Sequence, residues 1–198
     1  MNAAELWFLD LGFSWVWSKF IIYILLFLVF FGLSFLLLCI KRLSTLWRVV
    51  FMTIISLTPV VSYFAVHPLY TGDIFDESSE IKTAYVFPKI KTLSIFVLKG
   101  CPHCKNTIPF VEKLHDRNEQ IVIQYVIIGK MDEKYPGFTN DIPNFCEKIY
   151  EPDAVAAASV THGNYPCFVL SSNEKAEKRW FNDNFGMKTL DAFESYFK

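Results

Sequence analysis

Net charge is nearly absent from this chain: 19 Lys and Arg stand against 20 Asp and Glu in 198 residues, a formal balance of −1. With no basic stripe and no glycine-rich phosphate loop, nucleic acid is not an expected partner. Cysteine is scarce, five residues in all. No second Cys/His cluster with the spacing of a closed structural zinc site accompanies the one Cys-x-x-Cys, so no metal and no cofactor are assigned. The first residues lack the basic segment of a cleavable signal peptide; Glu5 and Asp10 are acidic, and the apolar run that follows is too long. Charge is missing altogether from Phe20 to Ile40, a stretch long enough to cross a bilayer as a helix.

A second uncharged run, Val49 to Val66, is shorter and broken by Pro59, which a spanning helix tolerates. Ahead of the first run, Trp7, Phe8, Phe13, Trp15 and Trp17 resemble an interfacial aromatic belt over residues 1–19. Two buried core helices are the soluble alternative, but no other part of the chain is large enough to cover them. The expectation is a transmembrane hairpin (20–40 and 49–66 within 20–66) and a linker at 67–90. The link between the spans carries Lys41, Arg42 and Arg48, whereas the N-terminal flank has only Lys19. The flank after Val66 is acidic: Asp73, Asp76, Glu77 and Glu80 against Lys82. The positive-inside tendency puts the link in the cytoplasm and both termini outside, a two-pass inner-membrane protein facing the periplasm or its equivalent, where disulfides persist.

The remaining residues, 91–198, suit one small domain. Thr92 to Leu98 reads as a buried strand and Ile121 to Ile128 as another, closed by Gly129. Between them Ile108, Val111 and Leu114 recur at helical spacing from Cys104 to Glu119. Such a strand–helix–strand unit makes a right-handed crossover with parallel strands. Cys167 to Leu170 is a third strand, Ser171 to Glu174 a turn and Ala176 to Phe181 its hairpin partner; Leu190, Phe193 and Phe197 mark a last helix. Cys101-Pro102-His103-Cys104 falls where the first strand hands over to the helix. There, unpaired backbone N–H groups and partial positive charge favour a thiolate. Cys101 is the expected nucleophile and Cys104 the resolving partner; Pro102 sits at a first-turn position where its missing donor is harmless, and His103 further favours the thiolate.

Placed in that context, the tetrad resembles that of the thioredoxin superfamily, and specifically of DsbA-type extracytoplasmic disulfide oxidases. The resemblance implies an α/β thioredoxin-like fold, a central mixed sheet flanked by helices, here preceded by a two-helix transmembrane hairpin. It implies a cis Pro166 packed against the active disulfide, with Tyr165 and Pro166 lining the substrate edge. Two departures stand out: Gly100 precedes the motif where thioredoxins carry Trp, and Ile95 stands where many members bury an acid that relays a proton to the second cysteine. The stretch from Gly129 to Tyr165 exceeds one helix and two tight loops. With Tyr135-Pro136-Gly137, Pro143, Pro152 and the Ala154-to-Ala158 run, it predicts a partly helical insertion at about 130–164, either shaping a substrate groove or simply packing. The function implied is a membrane-anchored thiol–disulfide oxidoreductase acting on secreted or membrane proteins, recycled by a membrane or extracytoplasmic redox partner. An anchored reductase of cytochrome c haem-binding thiols and a copper-handling binding protein are the alternatives.

Cys39 lies within the first span as an ordinary small apolar residue. Cys146 and Cys167 remain open among three readings: a second disulfide tying the insertion to the sheet, a relay pair exchanging with Cys101, or two unpaired buried thiols. His162, shortly before Pro166, has two readings, one as a residue that approaches the site and helps bind substrate or metal and the favoured one as an exposed loop histidine; His67 and His115 have no partner the sequence identifies. Lys99, Lys105, Lys113 and Arg117 surround the motif, either helping to hold a thiolate or forming a solvated face.

Overall fold

The computed structural model describes residues 1–35, 44–81, 83, 85–129 and 137–198. Cys39, Lys41, Arg42, Lys82, Tyr135 and Pro136, all used in the predictions above, lie outside the described residues, as does the end of the first uncharged run. The chain divides into two compact units, Met1–Ile74 and Phe75–Lys198.

The first unit is helical: α1 (Ala3–Asp10), α2 (Trp15–Phe35), α3 (Thr45–Val66) and the single turn α4 (Thr71–Ile74). A capping box starts α1, with Glu5 N donating to Asn2 Oδ1 at 2.8 Å and Asn2 N to Glu5 Oε2 at 2.9 Å. Both α2 and α3 are long and apolar enough to cross a membrane. Their outward faces expose Leu28, Val29, Leu33, Val49 and Val61. Where the two helices meet, the Ser34 and Ser56 hydroxyls lie 3.1 Å apart and the Tyr23 and Tyr63 rings 5.0 Å apart; small residues and hydroxyl pairs are what join apolar helices. The Tyr23 hydroxyl donates to the carbonyl of His67, the residue that ends α3. Trp15 departs from the expected aromatic belt. Trp15, the first residue of α2, is fully buried, whereas Trp7 and Trp17 are exposed.

The second unit holds β1 (Thr92–Leu98), α5 (Pro102–Lys105), α6 (Ile108–Arg117), β2 (Ile123–Ile128), a 3-10 turn (Gly137–Asn140), β3 (Glu147–Glu151), α7 (Ala154–Thr161), β4 (Cys167–Ser172), β5 (Lys175–Phe181) and α8 (Met187–Tyr196). The sheet order is β3-β2-β1-β4-β5, with β1, β2 and β3 parallel and β4 and β5 antiparallel additions. This is a thioredoxin-like sheet. Strands β1 and β2 are buried along nearly their whole length, as parallel strands covered on both faces must be. Asn173 and Glu174, both at positive φ, make the two-residue turn that matches the twist of β4 and β5.

Cross-strand partners share a face of the sheet. Phe96 pairs with Val126 and Cys167, and this row faces α7, clustering with Phe87, Ala157 and Val160. Ile95 pairs with Tyr125 and Phe168, and this row faces the other way, where Phe168 stacks on Phe185 at 4.4 Å and reaches Phe193 of α8 at 5.9 Å. On that side, Arg117 Nε donates to Glu194 Oε1 at 2.7 Å, fastening α6 to α8.

Three elements differ from the sequence prediction. The expected insertion contains a strand, β3, as well as helix. Its side chains are only half buried, so no apolar run announces it; it is held by backbone pairing to β2. The expected continuous helix after the motif is two helices, α5 and α6, separated at Asn106 and Thr107. Of the linker predicted at 67–90, the described residues from 75 onward pack as a strap on the second unit. Ser79 exchanges backbone hydrogen bonds with Arg179 on the edge of β5, and Asn173 and Glu174 donate to the Lys89 and Pro88 carbonyls. Phe87 is buried in the α7-side core. A strap over an exposed edge strand blocks pairing with other chains.

Candidate active site

β1 ends at Leu98, and three residues later Cys101 occupies the N-cap of α5 in an extended conformation (φ −80°, ψ 113°) with Pro102 in the first turn. Cys101 and Cys104 are joined as a disulfide with Cα atoms 5.2 Å apart. The Cys104 amide donates to Cys101 Sγ at 3.1 Å, so the sulfur fills the place of a capping oxygen and any thiolate formed there gains a hydrogen bond. Cys101 is half-buried and Cys104 wholly buried, which makes Cys101 the sulfur a second protein can reach. A Cβ added at Gly100 would meet no atom within 4 Å, so the flank of Cys101 is open.

The Tyr165–Pro166 peptide bond is cis. Cys101 Sγ lies 4.0 Å from the Tyr165 carbonyl oxygen, which brings the residues preceding β4 against the motif from 64 positions away in sequence. Tyr165 is half-buried and Pro166 buried. His103 is exposed on the outer side of α5. The surrounding cations are engaged away from the disulfide: Lys105 Nζ pairs with Asp141 at 2.9 Å, Lys99 Nζ lies 6.0 Å over the Tyr150 ring, and Arg117 holds Glu194. The Lys105–Asp141 contact ties α5 to the insertion, and His115 on α6 stacks on Phe145 of the same segment at 3.9 Å. His162 caps α7 in a left-handed conformation, exposed, with Nε2 at 3.3 Å from Arg179 Nη1.

Cys146 and Cys167 are free and buried, so the second disulfide does not form. Sheet order explains this. Cys146 directly precedes β3, Cys167 opens β4, and β2 and β1 lie between them. Three strand spacings amount to about 14 Å, twice the roughly 7 Å limit on Cα separation for a bridge. Cys167 packs on the α7 face, opposite the side of Ile95 and Tyr125. Burial pushes both thiols up to about 12, so neither is a ready thiolate. Among the described residues, no group of three or more His, Cys, Asp and Glu is arranged to hold a metal ion.

The sequence did not mark Thr107 and Tyr125. Ile95 is fully buried and brings no polar atom beneath Cys104. Its cross-strand neighbour Tyr125 does bring one: its hydroxyl lies 2.9 Å from Thr107 Oγ1, which donates to the Cys104 carbonyl at 2.7 Å. A phenol in a fully buried central strand was the available signal, since a buried tyrosine needs a partner for its hydroxyl.

No protein-family model matches the sequence. No curated protein sequence matches it either. Solved structures do resemble it. A secreted disulfide oxidoreductase of Mycobacterium tuberculosis, described as homologous to E. coli DsbE, aligns at 14% identity and a TM-score of 0.44, over 54% of this chain and 81% of that one. The thioredoxin domain of a thiol-disulfide oxidoreductase from Bacteroides vulgatus aligns at 14% identity and 0.49, over 61% and 99%. The N-terminal domain of PilB from N. meningitidis, in its reduced form, aligns at 16% identity and 0.43, over 67% and 94%. From its own strand order and motif, the second unit is a thioredoxin-like domain with a Cys-x-x-Cys disulfide where β1 passes into α5.

Proposed function

We propose that the chain is a membrane-anchored, extracytoplasmic thiol–disulfide oxidoreductase whose Cys101–Cys104 pair exchanges disulfides with secreted or membrane proteins. One observation carries this reading: a disulfide whose outer, half-exposed sulfur caps α5 and faces the carbonyl of the cis Tyr165–Pro166 bond, with an open flank at Gly100. In the oxidising direction, a substrate thiolate attacks Cys101 Sγ. The Cys101–Cys104 bond breaks, a mixed disulfide forms, and Cys104 leaves as a thiolate that takes a proton from solvent. A second substrate thiolate then attacks the substrate sulfur of that bond and expels Cys101. Two electrons pass to the protein, and the substrate keeps the disulfide. The reverse sequence reduces a substrate, and the redox partner sets the direction. Tyr165 and Pro166 would line the peptide edge, Pro102 would hold the first turn, and His103 would favour the Cys101 thiolate.

The anchor reading rests on α2 and α3 and on charge. Lys19, the one cation flanking the first span on the N-terminal side, is buried against Asp73 at 2.5 Å. Its charge is neutralised locally, which leaves the basic link between the spans as the cytoplasmic determinant.

The test is Cys104→Ala in the full-length protein in its native membrane. Exchange predicts a mixed disulfide accumulating on Cys101, released by reductant and absent when Cys101 is also replaced; no trapped species would refute exchange. Acid-quenched mass-tagging of the wild type then reads the direction. A mostly disulfide-bonded motif means net oxidation, and a mostly dithiol motif means net reduction or isomerisation.

A further inference from the structure

The Cys104 carbonyl is unusually well held. It accepts from the Asn106 amide, from the Thr107 amide at 3.2 Å and from Thr107 Oγ1 at 2.7 Å. A carbonyl can only accept, so the Thr107 proton points at Cys104. Thr107 Oγ1 must then accept from Tyr125, 2.9 Å away. Tyr125 is fully buried, and burial pushes its pKa up, so the phenol keeps the proton it donates. The result is one directed chain, Tyr125 O–H to Thr107 O–H to Cys104 C=O, each bond polarising the next. It anchors the junction of α5 and α6 to β2. Thr107 caps α6 without a side-chain hydrogen bond to that helix, so its hydroxyl is free to serve the turn behind.

We propose that Tyr125, acting through Thr107, is a positioning residue for Cys104, keeping its sulfur within reach of Cys101 when the motif is a dithiol or a mixed disulfide. This rests on the exchange reading above. Restricting Cys104 raises the effective concentration of its thiol at Cys101, which favours the disulfide and speeds resolution. The polar group beneath the motif therefore comes from β2, one strand over from the apolar Ile95.

The experiment uses the full-length chain in detergent micelles, equilibrated in glutathione redox buffers and read by peptide-resolved mass-tagging of Cys101 and Cys104. A second readout is the rate at which a glutathione mixed disulfide on Cys101 resolves, followed from pH 6 to pH 9. Tyr125→Phe and Thr107→Val each remove one hydroxyl while keeping shape, and each should shift the equilibrium about fivefold toward the dithiol and slow resolution about as much. Thr107→Ser keeps the hydroxyl and should match the wild type. The double variant should shift no further than Thr107→Val, because both act along one path. Wild-type protein that never equilibrates with glutathione overturns the exchange reading itself. With the wild type exchanging, variants that stay within twofold of it overturn the positioning role, even if the unfolding midpoints of the oxidised and reduced forms fall together.

Discussion

At the level of single residues, the four described cysteines divide by environment. Cys101 is half exposed and hydrogen-bonded at a helix start, whereas Cys146 and Cys167 are enclosed and pushed up to about 12. A thiol whose folded value lies above its ordinary value of 9.0 favours the neutral form in the fold. Its contribution to stability is complete below pH 9 and is lost as pH rises toward 12, and Tyr85, also raised to about 12, adds to the same trend. The urea midpoint, followed by pulse alkylation of Cys167, should therefore fall steadily from pH 9 to pH 11; a flat profile would refute this. Cys167 itself should resist alkylation in the native protein until the second unit opens. The residues of the motif were legible because Cys-x-x-Cys after an apolar strand has few meanings. Thr107 and Tyr125 were not, because a hydrogen bond between α6 and β2 leaves no local spacing to read.

At the level of elements, the strap formed by the described residues between 75 and 90 is the largest departure from what periodicity predicts. It holds on by polar anchors: Asp76 accepts from Trp180 Nε1 at 2.8 Å, from Lys178 Nζ at 3.0 Å and from the Ser78 amide at 3.2 Å. Burial alone would raise the Asp76 carboxyl, but the Lys178 and Trp180 hydrogen bonds outweigh it and hold the group below its usual value. Its stabilising contribution is thus present above the ordinary carboxylate range and fades as pH falls below it. Asp76→Ala should destabilise the second unit by about 1–2 kcal/mol, chiefly by stranding the buried indole N–H. It should also speed amide exchange at Ser79 and Arg179. Wild-type exchange at those two amides would show that the strap holds without Asp76. Strand β3 escaped prediction for a related reason. Its order comes from pairing with β2, and Glu147-Lys148-Ile149-Tyr150-Glu151 carries no apolar run of its own.

For the whole molecule, the anchor reading makes a topological prediction. Alkaline phosphatase fused after Lys198 should be active, and the same reporter inserted between the two spans, ahead of Ser44, should be inactive; the reverse pattern would place the disulfide in the cytosol and favour a reducing role. The sequence by itself determined the two apolar helices, the strands β1, β2, β4 and β5, the redox tetrad and the proline that opens β4, because each depends on residues adjacent in the chain or at a short fixed period. Tertiary structure decided the rest. Strand order put two strands between Cys146 and Cys167 and kept both as thiols. Face alternation turned Cys167 away from the motif and set Tyr125 beside Ile95 beneath it. Folding also brought Tyr165 to Cys101 across 64 positions. Those outcomes are long-range, and sequence patterns of period 2 or 3.6 fix which face a residue takes within its own element, not which element it will meet.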